Sequence, residues 1–403
     1  MSPYNICIYC PDSHIQYNIA TLERKGIGGG ITSRIRLAHE FARSGNQVTV
    51  INHCPRNGLL QGVVYRHFSQ VKQIKTDVFI ASSSGGKFDL GCLADISIEA
   101  KLKILMIHGI QLPGHIDLHD FDYIYYPSNY SRETIQRDYL EKVHPSFTCY
   151  RGIPEENFNG RVYRNRSPFN VLYVGHPQKG LNSAIKVIRL LRENDPRFTL
   201  HIFGGNQLWG DDAIPISSEP GVVDHGMLGQ KALAKWLFKM NFAIHLQAIQ
   251  EAGAPGLNES LRAGCLVMAS PVGVFPELIR DGYNGFFIPG SHIELTTIEK
   301  TAQLILELSK RPDYMEYIRR NAMCTPLTWS TVAKTWIGHW DWYFDHTDYE
   351  GLFNSDGDLG CVRCSGSLLA LADGLHCLDC GHYQRGWIRN DFKEWFTTPE
   401  RVM

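Results

Sequence analysis

Short runs of almost wholly apolar residues recur along this sequence, separated by stretches whose apolar residues return every three or four positions. The first set is Asn5–Tyr9, Gln47–Asn52, Val63–Phe68, Asp77–Ala81, Lys103–Ile107 and Asp122–Tyr126. A strand without a polar face must be covered on both sides, and a parallel sheet flanked by helices meets that condition. Between the first two runs, roughly Thr32 to Arg43, Ile35, Leu37, Ala38, Phe41 and Ala42 form one helical apolar face. The rhythm then begins again with Val171–Val174, Phe198–Phe203, Gly221–Val223, Ala243–Leu246, Leu266–Ala269 and Gly285–Ile288, with helical patterns at Leu181–Glu193 and Gln230–Met240. Arg151–Pro168, rich in Gly, Pro, Asn and Arg and without a period, reads as the linker between the two sets.

The expected fold class is therefore α/β, with two Rossmann-like domains facing across a cleft. A chain of 403 residues is too long for one core, which agrees with two main domains. We expect an N-terminal domain over 1–155, a second over 156–329, and an aromatic-rich helix (Ser330–Phe344) within 330–348 that crosses back to the first. A small unit over 349–403 carries four closely spaced cysteines. Lys+Arg total 40 and Asp+Glu 41, so no basic field exists to hold a polyanion and no nucleic acid is expected as partner. The mean hydropathy of −0.21 and the lack of long apolar runs predict a folded, soluble chain with no transmembrane segment. A peripheral membrane contact remains compatible. The N-terminus lacks the pattern of a secretory signal, and eleven cysteines, mostly scattered, suit a reducing compartment, so a cytoplasmic location is expected.

Three segments carry chemistry. Gly26, Gly28, Gly29 and Gly30 precede the first helix, where bare backbone and free N–H groups attract anions; a plain flexible connector is the alternative. In VLYVGHPQKGLNSAIKVI, His176 and Lys179 lie between a strand and a helix, a setting that suits a diphosphate, although Lys179 read alone is equally a solvated lysine. Glu251 and Glu259 flank a small-residue turn that enters a helix. Carboxylates so placed accept from vicinal hydroxyls, while helix capping is the alternative for Glu259.

Taken together, the glycine loop, Lys179-Gly180 and the E-x7-E spacing, followed by RAGCLVMASPVGVFPELIRDGYNGFFIP, resemble the nucleotide-sugar-dependent glycosyltransferases of the GT-B fold, retaining family four. Ala263-Gly264, Ala269-Ser270, Gly273, Pro276-Glu277, Asp281-Gly282 and Asn284-Gly285 fit that family's text, as do Gly152-Ile153 and Phe158 in YRGIPEENF. The resemblance implies transfer of a sugar from a UDP- or GDP-sugar to a hydroxyl acceptor on a glycan, lipid or protein, with retention of configuration and without a catalytic metal. It assigns Gly29 and Gly30 to the diphosphate and Lys179 to the leaving phosphate. Glu251, with the N–H groups of Gly253, Ala254 and Gly256, would hold the sugar. Glu259 would take the ribose, His108 would lie near the reacting carbon, and the backbone around Gly226 and Met227 would meet the base. Two positions depart from the family pattern. His176 stands where an arginine is usual, and E-G-F-G becomes Glu251-Ala252-Gly253-Ala254, without the aromatic.

The tail contains Cys361-x2-Cys364 and Cys377-x2-Cys380. Two such knuckles can present four thiolates tetrahedrally, which predicts one structural zinc ion in a ribbon and a surface for protein contact, with two disulfides as the alternative. Cys7 and Cys10, on an apolar strand with no partner pair, read as core. Other readings compatible with the sequence are a sugar-nucleotide-binding protein that has lost catalysis and a zinc-ribbon adaptor.

Overall fold

In a computed structural model of the protein, the described residues are 3–83, 90–114, 116–140, 144–158, 166–209, 211–212, 219–346, 368–371, 374–377 and 383–385. The chain divides into two compact units, Met1–Trp336 and Ile337–Met403. Both large sheets belong to the first unit.

The first sheet is built from β1 (Asn5–Tyr9), β2 (Gln47–Asn52), β3 (Gly58–Leu60), β4 (Val63–His67), β5 (Gln73–Ser82), β6 (Ser97–Met106), β7 (Tyr123–Tyr126) and β8 (Ser146–Thr148). Its order is β3-β4-β2-β1-β5-β6-β7-β8, and every pairing is parallel except β3 with β4. Helices α1 (Ile19–Arg24), α2 (Gly29–Arg43) and α3 (Asn129–Tyr139) accompany it. Short α4 (Glu155–Phe158) lies inside the segment read as linker.

The second sheet contains β9 (Asn170–Gly175), β10 (Thr199–Gly204), β11 (Val222–Asp224), β12 (Phe242–His245), β13 (Leu266–Ala269) and β14 (Phe286–Phe287), all parallel in the order β11-β10-β9-β12-β13-β14. Its helices are α5 (Leu181–Asn194), α6 (Gln230–Leu237), α7 (Pro255–Arg262), α8 (Phe275–Leu278), α9 (Leu295–Leu308) and α10 (Pro312–Cys324). Alternation along its strands explains why they read as continuous apolar runs. Val171 and Tyr173 of β9, with Phe242, Ile244, Leu266 and Met268, pack toward α5 and α9. Leu172, Ala243, Val267 and Ala269 point to the opposite face and meet Leu237, Leu257 and Leu261 of α6 and α7. Each strand thus feeds two cores.

The final helix of the series, α11, spans Trp329–His346. The ring of Trp336 sits 5.9 Å from that of Phe41 in α2 and 4.5 Å from that of Tyr125 in β7, so this part of the helix packs on the N-terminal half. In the second unit three short strands, β15 (Leu368–Leu371), β16 (Gly374–Cys377) and β17 (Tyr383–Arg385), form an antiparallel sheet in that order. Of the expected zinc ligands, Cys361, Cys364 and Cys380 lie outside the described residues, and Cys377 closes β16 opposite Leu368. Among the described residues no helix is long and apolar enough to cross a membrane.

Two local expectations shift. α2 begins at Gly29 rather than near Thr32, so Gly29 and Gly30 form its first turn and Gly28 its N-cap. β5 and β6 run ten residues each, because their polar first halves still pair in register from Gln73 opposite Ser97 onward. Cys7 and Cys10 are buried and free, as read from the sequence.

Candidate functional site

Ligands of open parallel sheets gather at the carboxyl ends of the strands, where loops leave the sheet and helices begin. Here the two sheets turn those ends toward one cavity of about 620 Å³. Its walls include Gly29, Gly30 and His108 from one half, and His176, Lys179, Met227, Gly253, Ala254, Glu251 and Glu259 from the other. The residues singled out in the sequence as catalytic or donor-binding therefore share one space.

The loop after β12 is fixed by side chains that reach backbone. Gln247 N donates to Ser270 Oγ at 3.0 Å, Gln250 Oε1 accepts from Gly273 N at 2.7 Å, and Val274 N donates to the carbonyl of Glu251 at 2.9 Å. A Cβ on Gly273 would fall 2.5 Å from that carbonyl oxygen, so only glycine permits the approach. The Glu251 carboxylate is gripped at both ends. Lys179 Nζ lies 2.9 Å from Oε2, and Gln247 Nε2 donates to Oε1 at 3.0 Å. Lys179 itself is aimed by Gly180, whose left-handed φ of 87° starts α5 and whose hydrogen faces the carbonyl of Leu246 where a Cβ would lie 1.7 Å away. Ala254, at φ 35°, also occupies the left-handed region that is costly for a residue with a Cβ, and it leads directly into α7.

Glu259 lines the cavity from α7, and its carboxylate has no hydrogen-bond or ion-pair partner among the described residues. Burial pushes its pKa up to about 7, with Arg36 pulling weakly the other way. Nearby His245 is buried, 3.2 Å from Ser260 Oγ, and burial lowers its pKa to about 4, so it is neutral.

His176 does not serve as a substitute cation. It is buried and lies flat on Trp209, with ring centroids 3.6 Å apart, and its Nδ1 accepts from Gln178 N at 3.2 Å. Burial lowers its pKa despite Asp211, whose carboxylate stays 3.9 Å from Nε2. A stacked neutral imidazole offers a phosphate a hydrogen-bond donor at most.

The N-terminal wall contains a cluster that the sequence reading passed over. His108 follows β6 and meets guanidinium groups on both ring nitrogens: Arg151 Nη2 at 2.6 Å from Nδ1, and Arg34 Nε at 3.4 Å from Nε2. Ser82 Oγ lies 2.8 Å from Nε2. A guanidinium only donates, so Nδ1 accepts from Arg151, while Nε2 faces both the Arg34 donor and the Ser82 hydroxyl. Burial, then Arg151, then Arg34 hold the His108 pKa well below its usual value, so it is uncharged. Arg34, on α2, is fully buried and donates to Asp12, Cys10 and Tyr17. Although burial opposes it, the Arg34 charge keeps the Asp12 carboxyl below the ordinary range. A charged residue interrupting the apolar face of α2, and a carboxylate three residues past β1, were the available signals for Arg34 and Asp12. Arg151 had none beyond its place in YRGIPEENF.

The two halves meet through glycines. A Cβ on Gly29 would lie 2.7 Å from Pro255 Cγ, on Gly28 3.3 Å from the carbonyl of Leu208, on Gly26 3.1 Å from that of Leu228, and on Gly229 2.1 Å from that of Glu23. Polar locks flank this seam. Arg36 on α2 pairs with Glu156 and donates through Nε to Gln230 Oε1 at 2.8 Å. On the far side, Glu277 accepts from the backbone N–H groups of Asn129 (3.0 Å) and Tyr130 (2.6 Å) at the start of α3, and from Tyr150 OH at 2.6 Å.

Comparison with known proteins agrees with this architecture. The structure matches Anabaena HepE in complex with UDP and glucose (TM-score 0.58, 14% identity, covering 84% of this chain and 99% of that one). It also matches sucrose-phosphate synthase from Thermosynechococcus elongatus (TM-score 0.58, 13% identity, 85% and 99%). A structure of S. aureus TarM in complex with UDP matches over 65% of this chain at TM-score 0.50 and 16% identity, and the chain spans 54% of that relative's length. No curated protein matches the chain. The fold is an α/β fold with parallel sheets that matches GT-B glycosyltransferases, and residues 161–323, which carry Lys179, Glu251 and Glu259, match the family profile described as Glycosyl transferases group 1.

Proposed function

We propose that this protein transfers a sugar from a nucleoside diphosphate sugar, UDP- or GDP-linked, to a hydroxyl of a glycan, lipid or protein. The observation that carries the reading is the joint placement of Lys179, Glu251 and the N-terminus of α2 on one cavity between the two sheets. The sugar hydroxyls would be accepted by Glu251, the ribose by Glu259, and the diphosphate by Lys179 and the free amides of Gly29 and Gly30. Hydroxyls can accept from the loop amides of Gly253 and Ala254, while the backbone around Met227 would meet the base. His108, held uncharged between Arg151 and Arg34, would lie near the reacting carbon and position the donor rather than act as a base.

The bond between the sugar's C1 and the phosphate oxygen breaks as the acceptor oxygen bonds C1 on the same face. The departing phosphate takes the acceptor's proton, so configuration is retained without a protein base. Catalysis is then chiefly electrostatic stabilisation of the leaving diphosphate, supplied by the lysine and the helix amides in place of a divalent metal. We further propose that Cys361, Cys364, Cys377 and Cys380 hold one structural zinc ion. The antiparallel pairing that ends at Cys377 suits such a ribbon, and a protein partner is the contact proposed for it.

Adding UDP-, GDP- and sugar-linked forms to the full chain should raise Tm for one nucleotide class. Transfer to an acceptor panel should release the free diphosphate, and Lys179→Met should lower turnover by roughly 10²-fold or more with the fold intact. Stabilisation by no nucleotide, or full turnover in Lys179→Met, would sink the proposal. Because His176 is neutral and Lys179 is already paired with Glu251, a binding protein without transfer is the second reading, and tight donor binding with no release of diphosphate would select it.

A further inference from the structure

Most cations in the cavity wall are already answered. Lys179 pairs with Glu251, Arg34 with Asp12, and the His108, His176 and His245 rings are neutral. Arg151 differs. It is 6% exposed, lines the cavity, and has no carboxylate partner among the described residues. Its Nη2 donates to the Ile107 carbonyl at 3.2 Å and to His108 Nδ1 at 2.6 Å, which leaves Nε and Nη1 without a hydrogen bond to any described residue. Burial, reinforced by Arg34, lowers its pKa to about 9, so at neutral pH it still carries its charge. A buried, unpaired cation is costly, and a cavity that keeps one is shaped for an anion.

The opposite wall shows a matching change. A Cβ on Gly253 would fall 2.9 Å from Arg151 Cγ and 3.0 Å from its Nε. Position 253 is where the text that this sequence resembles has an aromatic residue, and here the stem of Arg151 takes the space a side chain would need. The loss of the aromatic and the presence of the arginine are thus one steric fact.

We propose that Arg151 is a donor-specificity residue whose guanidinium takes an anionic oxygen of the donor, and that Gly253 carries no side chain because Arg151 fills its place. The oxygen belongs either to the diphosphate, compensating for the neutral His176, or to an acidic group on the sugar. This deepens the sugar-nucleotide reading and rests on it.

The test is calorimetric titration of the full chain with a nucleoside, its diphosphate, the neutral hexose donor and the uronic acid donor (uridine, UDP, UDP-glucose and UDP-glucuronate, with the guanosine set in parallel). Arg151→Met should weaken an anionic ligand at least tenfold and leave the uncharged nucleoside within twofold. Equal losses for the diphosphate and both donors place the oxygen on phosphate. A loss confined to the uronic acid donor places it on the sugar. Gly253→Ala, which pushes on the arginine stem without removing its charge, should reproduce the same ligand pattern more weakly, and it keeps the test alive if Arg151→Met does not fold. Unchanged affinities in both variants, or a loss for the nucleoside as large as for the diphosphate, overturn the proposal. Wild-type protein that binds no nucleotide at all overturns the donor reading instead.

Discussion

Glu259 shows how one side chain can report on the site. Its carboxyl holds a proton in the folded protein up to pH about 7, whereas an ordinary glutamate releases it near 4.5. Between those values the folded state binds more protons than the unfolded one, so this group makes stability fall as pH rises across that window. Glu259→Gln should therefore raise Tm at pH 8 and leave it nearly unchanged at pH 4.5, measured by paired thermal melts. A ribose hydroxyl that donates to the carboxylate favours its charged form, so donor affinity in the wild type should improve from pH 6 to pH 8. A flat pH profile in both measurements would remove the assignment. The residues visible in the sequence were those embedded in recognisable text: Lys179, Glu251, Glu259 and the glycines. Arg34, Asp12 and Arg151 were not, because their meaning comes from neighbours far away in the chain. Asp12 and Arg34 are 22 residues apart, and Arg151 and His108 are 43 apart.

The elements were easier to read than their ends. Strands buried on both faces declare themselves as apolar runs, and both sheets followed from that, apart from edge strands such as β3 and β8. These are three residues each, too short to carry a period. The start of α2 lies earlier than its apolar face suggests because glycines are poor helix formers, and here Gly28 makes room for the Leu208 carbonyl and Gly29 for the Pro255 ring. The spacing of the tail cysteines is the remaining local signal, and it makes a clear claim. Metal analysis of the full chain should find about one zinc per molecule, as a four-thiolate ribbon requires. Replacing Cys361 and Cys364 together with serine should abolish it, and thiols found joined as two disulfides would end the idea.

At the scale of the molecule, the seam between the two sheets borders the cavity proposed for the donor. Gly229 lies outside the cavity wall, and its Cα faces the carbonyl of Glu23 across the seam. Gly229→Val should hold the halves apart. Circular dichroism should stay as in the wild type, small-angle scattering should give a larger radius of gyration, and donor affinity should drop. An unchanged radius together with unchanged affinity would mean that this contact does not govern closure.

At Gly26, Gly28 and Gly229 the boundary sets glycine against a main-chain carbonyl, so at those points no side chain of the glycine's own has to repack when it parts. Arg36 and Glu277, which bind across it by charge and hydrogen bonds, would then act as its latches, loosening as ionic strength rises. Halves joined this way can shift at these points while each sheet keeps its own core.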